Sequence, residues 1–245
     1  MTAETRQRPA VAAGRGQVLG GTSLHNATPT GRHPARYNEA IVDALGPLLE
    51  ERGLPVHDPF AGTGERLGEL CDSLGLTFTG TDLEDWPDRD PRVTLGDALD
   101  PRTYPQGARL IVTSPTYGNG MNDHHEARDP SRRHTYRAAL GRPLHENNTG
   151  RYGIRRGRRS MTRYWTMHAE AITHWHRLGW PAVVNVKAFI KDFEVYDLPE
   201  RWAHTLAEHG YRVTARLEVP CPGIRHGANH AARIDHEVIL VAEVP

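Results

Sequence analysis

The sequence has little cysteine and no long hydrophobic run, and these absences exclude several classes of protein. Its cysteines, Cys71 and Cys221, are too far apart for a C-x-x-C metal site and too few for a disulfide framework. No segment approaches the roughly 18 apolar residues of a membrane-spanning helix. Residues 1–16 lack the apolar stretch of a secretory signal. We therefore expect a soluble, cytoplasmic protein with neither a membrane partner nor a metal ion.

The net charge is uninformative, but its distribution is not. The chain of 245 residues balances 30 basic against 30 acidic side chains. Residues 119–163 nevertheless hold eleven arginines and four acidic residues, a net charge of +7, which leaves the rest of the chain at −7. A concentrated basic segment is typical of a surface that binds a polyanion, although a solvated loop has the same composition.

A glycine-rich turn at residues 58–64 lies between a predicted strand and a predicted helix. Residues 54–57 form a short apolar run that ends at Asp58, and residues 65–74 carry apolar side chains at helical spacing. Backbone N–H groups at a helix N-terminus bind polar ligand groups, and glycine permits close approach. The spacing of Gly62, Gly64 and Gly68 is by itself only a loose match to a dinucleotide-binding turn.

A second predicted strand, residues 77–81, ends in another carboxylate. Asp82 follows it, 18 residues after Gly64. A carboxylate at this place accepts two hydrogen bonds from a ribose diol. Both NAD and S-adenosylmethionine (SAM) contain such a diol, so Asp82 alone leaves the two cofactors open.

Two stretches resemble a known enzyme family. Residues 58–64 resemble the first motif of class I SAM-dependent methyltransferases, in which an acidic residue precedes a glycine turn beneath the methionine part of SAM. Residues 113–117, Thr-Ser-Pro-Thr-Tyr, resemble the catalytic motif of DNA amino-methyltransferases, in the form associated with N4 of cytosine. Residues 33–37 also resemble the segment that closes over SAM in several of those enzymes, with Asn38 where proline is frequent.

The resemblance implies SAM as the cofactor and a set of residues that bind it. Asp97 follows the predicted strand 92–95, where the family uses such a residue to accept a hydrogen bond from the adenine amine beside an apolar neighbour. The implied cofactor-binding residues are His33, Tyr37, Asp58, Phe60, Ala61, Gly62, Gly64, Asp82, Asp97 and Ala98.

The resemblance also implies a catalytic loop of Ser114, Pro115, Thr116 and Tyr117 after the predicted strand 109–112. The lone pair of an exocyclic base amine is delocalised into the ring. If Ser114 and Pro115 accept its N–H groups, the lone pair is directed at the methyl donor, and Tyr117 would stack on the flipped base. Thr116 replaces the second proline of the motif and removes its rigidity. No cysteine lies in this loop, which argues against methylation of cytosine C5.

The basic segment, residues 119–160, is predicted to be an insertion that binds nucleic acid, because arginines contact phosphates and interleaved aromatic side chains stack on bases. His124, His125 and Glu126 lie within it but lack the spacing of metal ligands. The predicted phosphate contacts are Arg132, Arg133, Arg151, Arg155, Arg156, Arg158 and Arg159.

The fold class expected is α/β, the Rossmann-like class I methyltransferase fold: a seven-stranded, mostly parallel sheet with an antiparallel last strand and helices on both faces. Residues 1–32 are predicted to be a flexible arm and residues 33–245 the methyltransferase domain. Further helices are expected at 39–52, 161–178 and 198–210, and further strands at 182–186, 213–219 and 237–241.

The sequence favours a SAM-dependent methyltransferase acting on a DNA base, with N4 of cytosine ahead of N6 of adenine. Four alternatives stay open: an RNA base, a protein glutamine or small molecule, a weakly active or inactive SAM- and nucleic-acid-binding module suggested by Thr116, and an NAD(P)-dependent enzyme. Replacing Thr116 by proline tests the inactive module, and thermal stabilisation by SAM but not NAD(P) removes the last alternative.

Overall fold

The computed structural model has one large sheet, a small hairpin and five α-helices in the part of the chain that it describes, which is residues 33, 36–119, 136–154, 157–191, 194–221 and 234–245. The strands are β1 (Val56–Asp58), β2 (Phe78–Asp82), β3 (Val93–Leu95), β4 (Leu110–Thr113), β5 (Ala182–Val186), β6 (Phe189–Lys191), β7 (Glu194–Tyr196), β8 (Arg212–Pro220) and β9 (His236–Glu243). The helices are α1 (Glu39–Arg52), α2 (Glu65–Ser73), α3 (Tyr136–Leu140), α4 (Arg158–Arg177) and α5 (Leu198–Glu208).

The large sheet has seven strands in the order β3-β2-β1-β4-β5-β9-β8. The five strands β3, β2, β1, β4 and β5 are parallel to one another. Strand β9 is antiparallel to both β5 and β8. The predicted seven-stranded sheet with its antiparallel last strand is confirmed. The strand order reverses on either side of β1, and ligands of open α/β sheets bind at such a switch point, outside the carboxyl ends of the strands.

Helices cover both faces of the sheet, as predicted. One hydrophobic cluster joins α1 and α2 to the sheet and includes Ile41, Leu45 and Leu67, all buried. The second lies on the opposite face and includes Trp175 of α4 and Trp202 of α5, neither of which is exposed. Sequential strands connected through helices on two sides give this three-layer arrangement.

Asn38 has a structural role that explains its departure from the proline of the resembling family. Its Oδ1 accepts a 2.9 Å hydrogen bond from the backbone N–H of Ile41 and so caps the N-terminus of α1. Its Nδ2 donates to the sulfur of Cys221 at 3.0 Å. Gly53 ends the same helix in the left-handed conformation, with φ of 59°.

Some elements differ from the sequence prediction. Strands β6 and β7 form a hairpin that was not predicted, since strands of three residues are too short to show a periodicity; the rings of Phe189 and Tyr196 stack across it at 4.9 Å. Helix α3 lies inside the predicted basic insertion, and α4 begins at Arg158, earlier than expected. The predicted arm, residues 1–32, lies outside the described residues. None of the described helices is long and apolar enough to cross a membrane.

Candidate active site

A cavity opens at the carboxyl edge of the parallel strands and brings the two predicted motifs together. It is lined by all ten predicted cofactor-binding residues: His33, Tyr37, Asp58, Phe60, Ala61, Gly62, Gly64, Asp82, Asp97 and Ala98. Ser114, Thr116 and Tyr117 of the predicted catalytic loop line the same cavity, while Pro115 is buried beside them. The glycine turn and the Ser-Pro-Thr-Tyr loop, about fifty residues apart in sequence, therefore face one space.

The glycine turn follows β1 and has glycines where only glycine fits. Gly62 has φ of 57°, and a Cβ there would lie 2.8 Å from Nε2 of His33. Gly64 precedes α2 with φ of 68°, and a Cβ there would collide with a methyl group of Val93. The turn therefore packs closely against β3 and against His33, and its backbone is exposed to the cavity.

Asp58 ends β1 as a nearly fully buried carboxylate, 2% exposed. Its Oδ1 accepts a 3.0 Å hydrogen bond from the backbone N–H of Phe60. Burial raises the pKa of Asp58 to about 7, and its hydrogen bonds offset only part of that rise. The hydroxyl of Tyr37 is buried nearby without a hydrogen-bond partner within the described ranges, and burial together with Asp58 holds its pKa well above the usual value. This end of the cavity is suited to a ligand that carries a cationic group for Asp58 and a separate hydrogen-bond acceptor for the Tyr37 hydroxyl.

Asp82 holds the turn and the start of the next loop in place. Its Oδ2 accepts a 2.8 Å hydrogen bond from the backbone N–H of Gly62, and its Oδ1 accepts bonds from the N–H of Glu84 and from the indole of Trp86. Burial raises the pKa of Asp82 to about 6. The Oδ2 atom retains a lone pair for a ligand hydroxyl, since a carboxylate oxygen accepts two hydrogen bonds.

Asp97 is joined to a segment that the sequence did not place at the site. Its Oδ1 accepts a 2.9 Å bond from the N–H of Leu99, and its Oδ2 accepts a 2.9 Å bond from the amide of Asn147. Ala98 is buried beside it, and its carbonyl accepts a bond from Tyr104.

Residues 142–149 are held against the cavity by Glu84, whose side chain is completely buried. The Glu84 carboxylate accepts hydrogen bonds from Arg142 at 2.7 Å, from the N–H of His145 at 2.7 Å and from the amide of Asn148 at 3.0 Å. This described part of the predicted basic insertion therefore forms a wall of the cavity.

The predicted catalytic loop is anchored at Thr116 on two sides. Its hydroxyl is 3.0 Å from the hydroxyl of Thr149, and its carbonyl accepts a 2.7 Å hydrogen bond from Tyr164 of α4. Gly118 follows with φ of 61°, against the ring of Tyr164. These contacts restrain the backbone that a second proline would restrain in the resembling family.

Two residues that the sequence analysis missed complete the site. Asn185 of β5 donates from its amide to Glu237 of β9 at 2.8 Å and to the Ser114 hydroxyl at 3.4 Å. Glu237 also accepts a 3.0 Å hydrogen bond from the hydroxyl of Tyr117. Burial and the Glu237 carboxylate hold the pKa of Tyr117 well above its usual value, so it remains a neutral donor. No local motif marks these residues, because strand pairing joins positions far apart in the chain.

The predicted phosphate-contacting arginines fall into two groups. Arg158 and Arg159 are exposed in the first turn of α4, and Arg151 is half-buried in a short 3-10 turn. Arg132, Arg133, Arg155 and Arg156 lie outside the described residues. Neither cysteine lines the cavity, and burial raises the pKa of the Cys71 thiol to about 12. In the described ranges, no group of three or more potential ligand side chains is arranged to hold a metal ion.

Comparison with solved structures identifies the fold. The structure of a candidate RNA methyltransferase from Pyrococcus horikoshii superposes with a TM-score of 0.50 at 13% identity, covering 90% of this chain and 94% of that one. A SAM-dependent methyltransferase from Clostridium acetobutylicum gives 0.47 at 9% identity, over 86% and 93% of the two chains. The chain has the Rossmann-like fold of class I methyltransferases.

A third similar structure contains a product of the cofactor. It is the 1,6-didemethyltoxoflavin-N1-methyltransferase of Burkholderia thailandensis with bound S-adenosylhomocysteine, with a TM-score of 0.45 and 13% identity over 84% of this chain and 79% of that one. No protein-family model matches the sequence, and no curated protein matches it.

Proposed function

We propose that the protein is a SAM-dependent methyltransferase that acts on an exocyclic amino group of a DNA base, with N4 of cytosine ahead of N6 of adenine. The observation that carries the proposal is the shared cavity: the glycine turn after β1 and the Ser-Pro-Thr-Tyr loop after β4 line one space. A cofactor held by the first lies beside a substrate held by the second.

The cavity residues fit the chemical groups of SAM. The buried Asp58 carboxylate and the Tyr37 hydroxyl suit the ammonium group and the polar end of its methionine part. The remaining lone pair of Asp82 suits a ribose hydroxyl. Asp97 and Asn147 offer an acceptor and a donor to the edge of adenine, with Ala98 against the ring.

When bound, SAM supplies an electrophilic methyl group; the chain's own groups bind and orient the amine. The loop of the Ser114 hydroxyl and the Pro115 carbonyl accepts an N–H group of the amine and turns its lone pair toward the cofactor. The two anchors of Thr116 keep this loop in place. This restraint disfavours the inactive-module alternative, which rested on the missing proline.

The positive charge near the site supports a nucleic-acid substrate. Arg158 and Arg159 are exposed where the basic segment enters α4, and Gly153 of the same segment pairs with Asn119 beyond the catalytic loop. Exposed arginines contact phosphates, so this end of α4 is the proposed contact for the nucleic-acid backbone.

The test is methyl transfer from isotope-labelled SAM to genomic DNA, total RNA and a protein lysate, followed by digestion and mass identification of the product. We expect N4-methylcytosine from DNA. Label in RNA or protein would show that the substrate is not DNA but that the cofactor is still SAM. Absence of both label and SAM binding would overturn the proposal.

Two variants connect that reaction to the site. Ser114→Ala should bind SAM with unchanged affinity and transfer methyl groups at least about tenfold more slowly, since one acceptor for the amine is lost. The matched control is Ser73→Ala, because Ser73 is an exposed residue at the end of α2. An unaltered rate in Ser114→Ala would remove Ser114 from catalysis.

A further inference from the structure

The cavity has a wall beyond the two predicted motifs, formed by Asn185 at the end of β5 and Glu237 at the start of β9. Asn185 is 2% exposed, and the Glu237 side chain is 13% exposed. Both line the cavity. Because β9 runs antiparallel to β5, its first residues lie at the edge where the parallel strands end. The strand direction therefore brings a carboxylate to the carboxyl edge of the sheet.

Strand register places Asn185 beside the catalytic loop. Thr113 of β4 pairs with Val184 of β5. The residues that follow each of them, Ser114 and Asn185, are therefore neighbours. Both strands belong to the rigid centre of the sheet, and strand-borne groups are held more precisely than loop-borne ones.

The hydrogen bonds of Asn185 determine which way its amide points. Its Nδ2 donates to Oε2 of Glu237 at 2.8 Å and to the hydroxyl of Ser114 at 3.4 Å. A carboxylate accepts and does not donate, so the amide must turn its NH2 toward Glu237. The carbonyl oxygen of Asn185, Oδ1, is then buried without a hydrogen-bond partner among the residues that the structure describes.

An unpaired buried acceptor at the edge of a cavity calls for an explanation, because nearly all buried polar groups in folded proteins are paired. The two partners of the Nδ2 group, the Glu237 carboxylate and the Ser114 hydroxyl, both act as acceptors toward Asn185. A ligand that completes this arrangement must bring N–H or O–H donors.

Glu237 orients more than Asn185. The hydroxyl of Tyr117 donates to its Oε2 at 3.0 Å, and Nζ of Lys187 lies 3.9 Å from its Oε1. One carboxylate thus fixes both the aromatic ring of the catalytic loop and the amide of Asn185. Glu237 acts through these two residues and is a positioning residue.

We propose that Asn185 is a substrate-binding residue whose Oδ1 accepts one N–H of the methyl acceptor, while the Ser114–Pro115 loop accepts the other. This inference rests on the proposed function and specifies its substrate class as a primary amino group. In the reaction the nitrogen lone pair forms the N–C bond, the C–S bond breaks with its electron pair remaining on sulfur, and one N–H proton leaves to solvent. The monomethylated product has a single N–H and leaves one of the two acceptors unpaired, so the protein stops after one methyl group.

The experiment compares wild type with Asn185→Ala and Glu237→Gln on the nucleic acid that wild type methylates. Asn185→Ala should lower kcat/KM at least about tenfold, because an acceptor made for the substrate is lost. Glu237→Gln should lower kcat by a similar factor, because glutamine donates as well as accepts and lets the Asn185 amide turn over. Affinity for S-adenosylhomocysteine, measured by calorimetry, should change less than about twofold in both, since the cofactor residues are untouched.

The product provides a second readout that a purely structural role would not move. Mass analysis of the digested nucleic acid should find only monomethylated amine from wild type and an increased dimethylated fraction from Asn185→Ala. The matched control is Glu218→Gln, an exposed carboxylate on the neighbouring strand β8, which should behave as wild type.

The outcomes separate the two proposals. The role of Asn185 is overturned, and the proposed function is kept, if Asn185→Ala and Glu237→Gln both turn over substrate as fast as wild type. The same conclusion follows if wild type itself produces dimethylated amine. If Asn185→Ala fails to fold, shown by loss of S-adenosylhomocysteine binding, Glu237→Gln decides, since it preserves the size of the side chain. Absence of methyl transfer and of cofactor binding in wild type overturns the proposed function and this inference with it.

Discussion

The side-chain amide of Asn147 donates a 2.9 Å hydrogen bond to the carboxylate of Asp97, 50 residues earlier in the chain. Asp97 belongs to the predicted cofactor site, whereas Asn147 belongs to the predicted nucleic-acid-binding insertion. The bond means that the predicted insertion and the predicted cofactor site share a wall of the cavity. A change in one is therefore expected to alter the other.

Asn147→Ala should weaken binding of S-adenosylhomocysteine by roughly three- to tenfold, because Asp97 loses the partner that orients it. Isothermal titration calorimetry measures the effect. Glu146→Ala is the matched control, since its side chain is exposed on the same segment. Equal affinities of wild type and Asn147→Ala would mean that the hydrogen bond does not orient the adenine acceptor.

Glu84→Gln should loosen residues 142–150. The buried carboxylate accepts three hydrogen bonds from this segment, and an amide cannot accept all three. A loss of about 2 kcal/mol in the stability of the segment is expected. Hydrogen exchange should become faster there and stay unchanged in α1. Asp85→Asn, an exposed neighbour, is the control; equal exchange in wild type and Glu84→Gln would contradict the prediction.

Cofactor binding should strengthen as the pH rises through 7. The pKa of Asp58 is raised to about 7 by burial, and the ammonium group of the cofactor favours the ionised carboxylate. Binding below the pKa therefore releases a proton, and affinity should increase by at most about tenfold per pH unit before reaching a plateau. Calorimetry from about pH 5.5 to about pH 8.5 measures this slope. Asp58→Asn should bind the cofactor weakly, and its affinity should not depend on pH in this range.

Asp58 should also make the free protein less stable at higher pH. Its folded-state pKa lies above the ordinary value of 3.8, so the stability it contributes is present below that value and is lost as the pH rises through about 7. The difference in Tm between Asp58→Asn and wild type should therefore grow between about pH 4 and about pH 7 and then stay constant. A gain of about 4 kcal/mol is expected at the plateau, since each pKa unit corresponds to about 1.4 kcal/mol. A difference independent of pH would show that Asp58 is not a strained acid.

Thr116→Val should lower stability by about 1 kcal/mol and reduce turnover, because it keeps the shape of threonine but removes the hydroxyl bonded to Thr149. Thr116→Pro loses the same bond, and we expect it not to increase turnover. Tm and initial rates measured side by side test both variants. A faster Thr116→Pro would mean that the hydroxyl anchor does not replace the rigidity of proline.

Arg158→Ala and Arg159→Ala should each weaken nucleic-acid binding and lower the slope of log affinity against log salt concentration by about 1, because each removes one phosphate contact. Fluorescence anisotropy at several salt concentrations measures the slope. Arg177→Ala is the matched control, an exposed arginine at the opposite end of α4. If Arg158→Ala, Arg159→Ala and Arg177→Ala all have the slope of wild type, this end of α4 does not contact phosphate.

Much of the fold could be predicted from the sequence because its signals are local. Helix α1 and strand β5 have the predicted boundaries, since apolar spacing and an apolar run between breakers define them within a few residues. The strands that end at Asp58 and Asp82 were also located, because the carboxylates follow apolar segments directly.

The rest of the site depends on contacts that no local pattern records. Glu84 follows Asp82 by two positions, yet its importance comes from residues 142–148, some sixty positions later. Asn185 and Glu237 are 52 positions apart and meet only through the pairing of β5 with β9. A buried polar residue inside an otherwise apolar strand, such as Asn185 among valines, is the one signal in the sequence that could have pointed to it.

The strand order has a consequence for how the protein is made. Strand β9 lies between β5 and β8 in the sheet, although it is synthesised after both. A nascent chain that has emerged only as far as residue 235 lacks β9, the strand that separates β5 from β8 in the finished sheet, and lacks Glu237. Closure of the sheet and completion of the candidate site are then one event, so a ribosome-bound chain short of that point lacks the finished cavity.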